Sequence, residues 1–308
     1  MTQASASGKI ILFGEHAVVY GRPALAVPVT QVHADVEVQA SSRPGIWIEA
    51  PEVDLHAELN TLPSDHPIAS VIHNFLFLWR VSPFPNLDIR IDSTIPVASG
   101  LGSGAAVTVA LTRALASHLE HSITDEEVNA FAYEIEKLHH GTPSGIDNTV
   151  ITYASPVYFI KGKPIETFRV GKPFTIVIGD TGIHAPTKES VGDVRKLWEV
   201  NGPQWENVFD RVGEIARTAR EVIEKGDTDK MGQLMDQNHA LLQEMTVSSR
   251  ELDTLVAAAR QAGALGAKMS GGGRGGNMIA LVPPELAGRV SESLLQAGAQ
   301  SVIITRVF

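Results

Sequence analysis

PVASGLGSGAAVTVALTRAL, residues 96–115, runs from a glycine-rich loop straight into a helix. Gly100, Gly102 and Gly104 carry no Cβ, so the backbone there can take left-handed angles and approach a ligand closely. The helix that follows opens with N–H groups lacking intrahelical acceptors and about half a positive charge at its N-terminus. Such a loop binds phosphate without a basic side chain. The formal net charge is −10, so bulk charge is not what would draw an anion here. GLGSGA also fits the dinucleotide fingerprint G-x-G-x-x-G/A, which should close the first strand of a βαβ unit with an acidic residue about twenty positions on. The candidate strand LDIRID (87–92) is separated from the loop by Thr94, Ile95 and Pro96. Glu120, near the required offset, falls at the end of the same helix rather than on a second strand. The Walker pattern G-x-x-x-x-G-K-[ST] is absent. On this loop alone a purely structural glycine turn stays open.

Outward from the loop, 308 residues suit one large domain or two closely associated ones. Hydrophobic residues make up 44% and charged residues 19%, ample for a sizeable core. With no cysteine there are no disulfides and no thiolate metal sites, which fits a reducing compartment. MTQASASGK at the N-terminus lacks the apolar core of a signal peptide. The uncharged run between Asp92 and Arg113 holds too many glycines and serines, and Pro96, to make a good membrane span. No basic stripe is visible, which argues against nucleic acid. The expectation is a soluble, cytoplasmic protein that works on a small molecule, with neither nucleic acid nor membrane as partner.

Strand patterns crowd the first third: KIILF (9–13), VHADVEV (32–38), GIWIEA (45–50) and LDIRID (87–92). Ile68, Val71, Ile72, Phe75 and Trp79 mark a helix among them. Thr124 and Glu127 form a capping box for another, with Val128, Phe131, Ala132, Ile135 and Leu138 on its buried face. TVITYASPVYFI (149–160) and FTIVIGD (174–180) read as strand. Helical spacing then runs from Trp205 to Ala219 and from Met231 to Leu242, and Ser248 with Glu251 opens a third helix by the capping-box pattern. GALGAKMS, NMIALV, a helix after Pro284 and SVIITRVF alternate to the terminus. The fold class is α+β, in two lobes that we divide as residues 1–168 and 169–308, with the ligand cleft expected between them.

Four segments carry candidate chemistry. In SGKIILFGEHAVVYG (7–21), Lys9 begins an apolar strand, and Glu15 and His16 follow Gly14 at its end, where side chains reach into clefts. Singly, each of these has an ordinary alternative as an edge lysine or a solvated turn residue. In the loop, Ser103 could ligate Mg²⁺ beside the phosphate site or merely cap the helix. In EKLHHGTPSGIDN (136–148), Glu136 lies late on its helix beside the apolar stripe, where a carboxylate needs a partner. Asp147 follows a Pro-Ser-Gly turn and precedes the expected strand; it could accept a substrate's hydroxyl proton or cap the turn. His139 and His140 are adjacent and so point different ways on a helix, a poor zinc pair. In GALGAKMSGGGRGGNMIAL (263–281), five glycines fall within 271–276. NMIALV after them reads as strand, which defeats a dinucleotide reading and leaves a glycine hairpin against a ligand, or a structural hairpin.

In this order, GKIILFGEHAVVYG, GLGSGA, HGTPSGIDN and GGGRGG resemble the small-molecule kinase superfamily named for galactokinase, homoserine kinase, mevalonate kinase and phosphomevalonate kinase. The likeness spans essentially the whole chain and is greatest to the mevalonate kinase branch. Galactokinases share GEH but continue with an acidic, sugar-binding sequence in place of AVVYG. The resemblance implies a ribosomal-S5-like N-terminal lobe and a ferredoxin-like C-terminal lobe. It implies transfer of the γ-phosphoryl group of ATP, with Mg²⁺, to the primary hydroxyl of mevalonate, by a homodimer. By motif position, Asp147 is the catalytic aspartate and Lys9 its electrostatic partner. Pro96, Ser99, Gly100, Leu101, Gly102, Ser103, Gly104 and Ala105 line the nucleotide phosphates. Glu136 and Ser103 hold the metal, and Glu15, His16, Thr187 and Gly272 touch substrate.

Two positions depart from the family pattern. Gly104 stands where the loop usually has a second serine, commonly the magnesium ligand, so Ser103, a water or a phosphate oxygen must take that place. Arg274 stands where the glycine-rich motif usually has glycine; it could touch phosphate or turn to solvent. The alternatives weighed are another kinase of the superfamily, acting on phosphomevalonate, galactose or homoserine, and a nucleotide-binding relative without turnover, which the missing serine would favour.

Overall fold

The structure is a computed structural model that describes residues 1–96, 99–140 and 143–308. Val97, Ala98, Gly141 and Thr142, quoted above within two motifs, and the side chain of His140 lie outside the described residues. In chain order the elements are β1 (Thr2–Phe13), β2 (Ala24–Ala40), β3 (Ile46–Ala50), β4 (Leu55–Glu58), α1 (Pro67–Leu78), β5 (Leu87–Ser93), α2 (Ser103–His118), α3 (Asp125–His140) and α4 (Ile146–Tyr153). They continue with β6 (Val157–Phe159), β7 (Glu166–Thr167), β8 (Phe174–Asp180), α5 (Thr187–Val200), α6 (Gly202–Lys225), α7 (Thr228–Glu244) and α8 (Arg250–Gln261). The chain ends in β9 (Gly266–Met269), β10 (Asn277–Val282), α9 (Ala287–Gln296) and β11 (Ser301–Val307). It divides into two compact units, one of Met1–Gly8, Val32–Val97 and Gly102–Ala154, the other of Lys9–Gln31, Ala98–Leu101 and Ser155–Phe308. β1 and β2 each contribute residues to both.

In the first unit, β2 pairs antiparallel with β5 over Ala34–Ala40, β5 pairs parallel with β3, and β3 pairs antiparallel with β4. Strict alternation in this part of β2 buries Val32, Ala34, Val36 and Val38 and turns the residues between them outward, the signature of a sheet covered on one face. α2 contacts α1, α3 and α4, so it is enclosed on most sides. Its run of alanines with Val109, Leu111 and Leu115 suits that position, because small side chains let three neighbours approach. Phe75 stacks on Trp79 at 4.5 Å, and Phe131 meets Trp79 edge-on at 5.4 Å, closing α1 onto α3.

The first unit corrects three expectations. The segment 149–160 is not one strand: residues up to Tyr153 form α4, and only Val157–Phe159 is strand. The β-branched run Thr149–Thr152 favours strand by propensity, but all four side chains are buried where α4 packs on α2 and α3. Tertiary packing overrides the local preference, helped by Gly145, whose φ of 90° starts the helix. Asp147 therefore lies in the first turn of α4, where the helix dipole favours a carboxylate, rather than before a strand. Leu138 is exposed at 63%, because the buried stripe at 128, 131, 132 and 135 is centred near position 139 one turn on. The Thr124–Glu127 capping box forms as expected, with Thr124 N–H donating to Glu127 Oε2 at 2.8 Å and Glu127 N–H donating to Thr124 Oγ1 at 3.2 Å.

In the second unit the four-stranded sheet has the order β11-β8-β10-β9 with every pairing antiparallel. Read by sequence this is β8, helices, β9, β10, helix, β11 in spatial order 4-1-3-2, the ferredoxin-like arrangement that the resemblance implies. The two central strands, β8 and β10, are buried almost throughout, as their unbroken apolar runs require. Their core includes Val177, Phe209, Leu242, Leu255, Met278 and Leu294. Here one boundary shifts. α8 is capped by Ser249, whose Oγ accepts from Leu252 N–H at 3.3 Å, while Ser248 Oγ donates to Asp253 Oδ1 at 2.6 Å instead.

Candidate active site

In the second unit, four stretches far apart in sequence are tied together. Lys9, buried in β1, donates its backbone N–H to the Leu101 carbonyl at 2.9 Å, which fixes the start of the glycine loop to the strand. Asn277 Nδ2 donates to the Ser99 carbonyl, and Ser270 Oγ donates to the Ile11 carbonyl at 2.8 Å. His16 Nε2 bonds the Gly272 carbonyl at 3.0 Å across 256 positions of sequence. A Cβ on Gly272 would lie 2.8 Å from Thr187 Oγ1, so glycine is what lets the start of α5 close on the hairpin. Glu15, His16, Thr187 and Gly272 are thus brought into one neighbourhood, with Lys9, Ser99, Gly100 and Leu101 in the same unit.

His16 holds φ 60° and ψ −49°, a backbone conformation that side-chain-bearing residues rarely adopt and that collects at functional sites. Burial pushes its pKa down to about 4; the Gly272 bond opposes the shift and the nearby Arg274 charge adds to it. At neutral pH the ring is therefore uncharged. Because a carbonyl can only accept, Nε2 carries the proton and Nδ1 is left as an acceptor.

Glu15 is equally buried, and its partner is a residue that the sequence reading did not single out. Lys268, fully buried in β9, donates from Nζ to Glu15 Oε1 and, at 2.6 Å, to the Met269 carbonyl. Burial pulls the Lys268 ammonium down from its ordinary range, and the Glu15 charge holds it up. A lysine in the middle of the otherwise apolar strand GAKM was the available signal, since a buried ammonium requires an acid.

Arg274 turns neither to solvent alone nor to an open face: its guanidinium pairs with Asp193 on α5, and its N–H donates to the Val247 carbonyl at 2.8 Å. Its φ of 61° accounts for the glycine common at this place in the family. Asp193 also binds Lys196 at 2.8 Å, and these two cations keep its carboxyl below the usual range.

In the first unit, α2 begins at Ser103 after Gly102, which has φ 80° and ψ 30° and offers no side chain as a cap. Ser103 is the first helical residue and does not cap the helix, so no cap side chain takes up the amides of its first turn. Glu136 Oε1 lies 3.9 Å from where a Cβ on Gly104 would stand, so this carboxylate overlies the first turn of α2. The Glu136 carboxylate and the hydroxyl of Ser103, the first residue of α2, are hard oxygens of the kind magnesium takes when phosphates complete its shell. No group of three or more His, Cys, Asp and Glu side chains able to hold a metal occurs among the described residues. Asp147 and Pro96 are half-buried in this unit.

The model of the GHMP kinases N-terminal domain matches residues 68–155, and that of the GHMP kinases C-terminal domain matches residues 219–300. The mevalonate kinase of Pyrococcus abyssi is 36% identical over 99% of this chain and 95% of its own length. That of Aeropyrum pernix is 32% identical over 97% of this chain and 94% of its own length. The crystal structure of the L. major mevalonate kinase in complex with R-mevalonate superposes with a TM-score of 0.87 and 30% identity, covering 100% of this chain and 96% of that one. Likeness of this extent, running through both matched halves, establishes that the chain is a kinase of the GHMP family, in the branch whose members are named mevalonate kinase.

Proposed function

We propose that this kinase transfers the γ-phosphoryl group of ATP to the primary hydroxyl of mevalonate, giving 5-phosphomevalonate. The observation that carries the reading is the His16–Gly272 bond, which joins the GEH turn of the first motif to the glycine hairpin of the last beside Thr187. The relative of known structure that shares the fold at 30% identity holds R-mevalonate.

Phosphoryl transfer runs through a loose transition state, so the protein's task is positioning and charge stabilisation. In this reading the amides at the start of α2, with Pro96, Ser99, Gly100, Leu101, Gly102, Gly104 and Ala105 along the loop, hold the phosphates of ATP. Glu136 and Ser103 would hold Mg²⁺, which supplies charge compensation at the phosphate oxygens. Lys9 adds a second positive charge, and Asp147 orients the attacking hydroxyl and receives its proton late. Glu15, His16, Thr187 and Gly272 recognise the rest of the substrate. The reading carries with it a cytoplasmic homodimer. Among the described residues no helix is long and apolar enough to cross a membrane.

ADP release measured with mevalonate, phosphomevalonate, galactose and homoserine tests the proposal. Turnover with mevalonate alone is expected. Turnover with another member of the panel instead reassigns the substrate, and nucleotide binding without ADP release from any of them makes the chain a non-catalytic relative.

A further inference from the structure

Glu15 and His16 each present one buried polar atom that meets no protein partner. Lys268 takes Glu15 Oε1, and Oε2 of the same carboxylate has no hydrogen-bond partner. His16 gives its Nε2 proton to Gly272, and Nδ1 has none. Both are acceptors, both residues are over nine-tenths buried, and they are consecutive in a turn that holds His16 at positive φ. Buried acceptors are ordinarily paired, so two of them side by side in the sequence mark a place completed by a ligand. The ligand must bring protons. A carboxylate brings none, whereas a hydroxyl brings one.

We propose that Lys268 is a positioning residue: it fixes the Glu15 carboxylate by one oxygen, so that Oε2 and His16 Nδ1 together accept a hydrogen bond from the non-reacting hydroxyl of the substrate. The inference rests on mevalonate being the substrate. Mevalonate carries two hydroxyls and a carboxylate; with the primary hydroxyl taken by the reaction, the tertiary 3-hydroxyl is the donor left. Lys268 acts through Glu15 and touches no substrate. Its second bond, to the Met269 carbonyl, fixes the ammonium to β9 and with it the orientation of the carboxylate. The ring beside it is held in one tautomer by Gly272.

The test compares the unaltered chain with K268M and E15Q/K268M, using mevalonate and its 3-deoxy analogue. On the unaltered chain the analogue should lose about tenfold or more in kcat/KM, the worth of a hydrogen bond to a charged acceptor. In K268M the Glu15 carboxyl is buried without its counter-charge, which favours the protonated form. Its KM for mevalonate should rise by about tenfold or more at neutral pH while that for ATP stays within about twofold. That KM should fall again as pH rises and the carboxyl ionises. The double variant removes both buried charges, so the melting temperature of the parent should return, yet its KM for mevalonate should stay high and independent of pH. A Lys268 of purely structural importance predicts instead that folded K268M, with Glu15 intact, keeps the parental KM for mevalonate. That outcome, or an analogue used within about twofold of mevalonate, overturns the proposal. If K268M fails to fold, the double variant and the analogue decide. Failure of the unaltered chain to phosphorylate mevalonate is a separate result, and it defeats the substrate reading rather than the role of Lys268.

Discussion

At the scale of single residues, Asp147 shows how placement changes the meaning of a side chain. In the first turn of α4 its carboxylate sits at a helix N-terminus, where its proposed task is to orient the attacking hydroxyl and take its proton late. A loose transition state suits that task, because the proton leaves the hydroxyl late. Asp147→Asn keeps the shape and removes the charge. We expect kcat to fall by about a hundredfold or more with KM changed far less, read from initial rates at saturating ATP. Survival of turnover within about tenfold of the parent would remove Asp147 from its role. Glu136 is a second case. Its carboxylate stands over Gly104, so the space left by the family's usual serine faces a carboxylate oxygen rather than a hydrophobic wall. The loss of a serine there is compatible with a metal held by Glu136 and Ser103.

At the scale of elements, close backbone approach sets the packing of α7 on β9. A Cβ on Gly232 of α7 would lie 2.2 Å from the Leu265 carbonyl oxygen, and one on Gly266 would lie 2.1 Å from the Gly232 carbonyl oxygen. Neither obstacle is a side chain that could rotate away. In an isolated helix, Gly232→Ala would gain about 1 kcal/mol of propensity. Against this, pushing α7 off the strand costs about 1–3 kcal/mol or more, since a backbone must move. The clash should win. Gly232→Ala should therefore unfold at a lower urea concentration than the parent, and an unchanged or raised midpoint would show that the strand gives way freely. β9 carries Lys268, so the same contact supports the base of the Glu15 turn.

At the scale of the whole molecule, two buried histidines set the response to acid. Burial holds both His16 and His239 down to about 4. His239 accepts the Met269 N–H on Nδ1 at 3.3 Å, and Nε2 faces Asp253 at 3.2 Å, an arrangement that a proton on Nδ1 would break. Unfolded, each ring takes up a proton as pH falls below its ordinary value of 6.5, while the folded form does not until about 4. The unfolded state then binds more protons, so stability declines as pH falls through this window and levels off below it. For fully buried His16 the total is on the order of 3 kcal/mol. Thermal melts in steps from pH 7.5 to 4 should show this decline, and His239→Gln should shallow it. A melting temperature flat across the window would contradict the neutral assignment of both rings.

Much of this protein was legible in its residues. Alternation in VHADVEV, the capping box at Thr124, the apolar strands of the second half and the glycine-rich loops are local patterns, and local patterns follow from the backbone and from burial of one face. The ordered motifs named the kinase family and its α+β lobes for the same reason, being short, contiguous and chemically constrained. What lay beyond reach depends on contacts between distant residues. The helix at Ile146–Tyr153 exists because α2 and α3 bury a β-branched run that would otherwise extend. The partner of Glu15 lies 253 positions away, the clasp of Arg274 runs to Asp193 on another element, and the acceptor on His16 is free only because Gly272 has taken its proton. Periodicity reports which face of an element is buried; only the folded chain decides what that face meets, because pairing across the chain is set by packing that no local window contains.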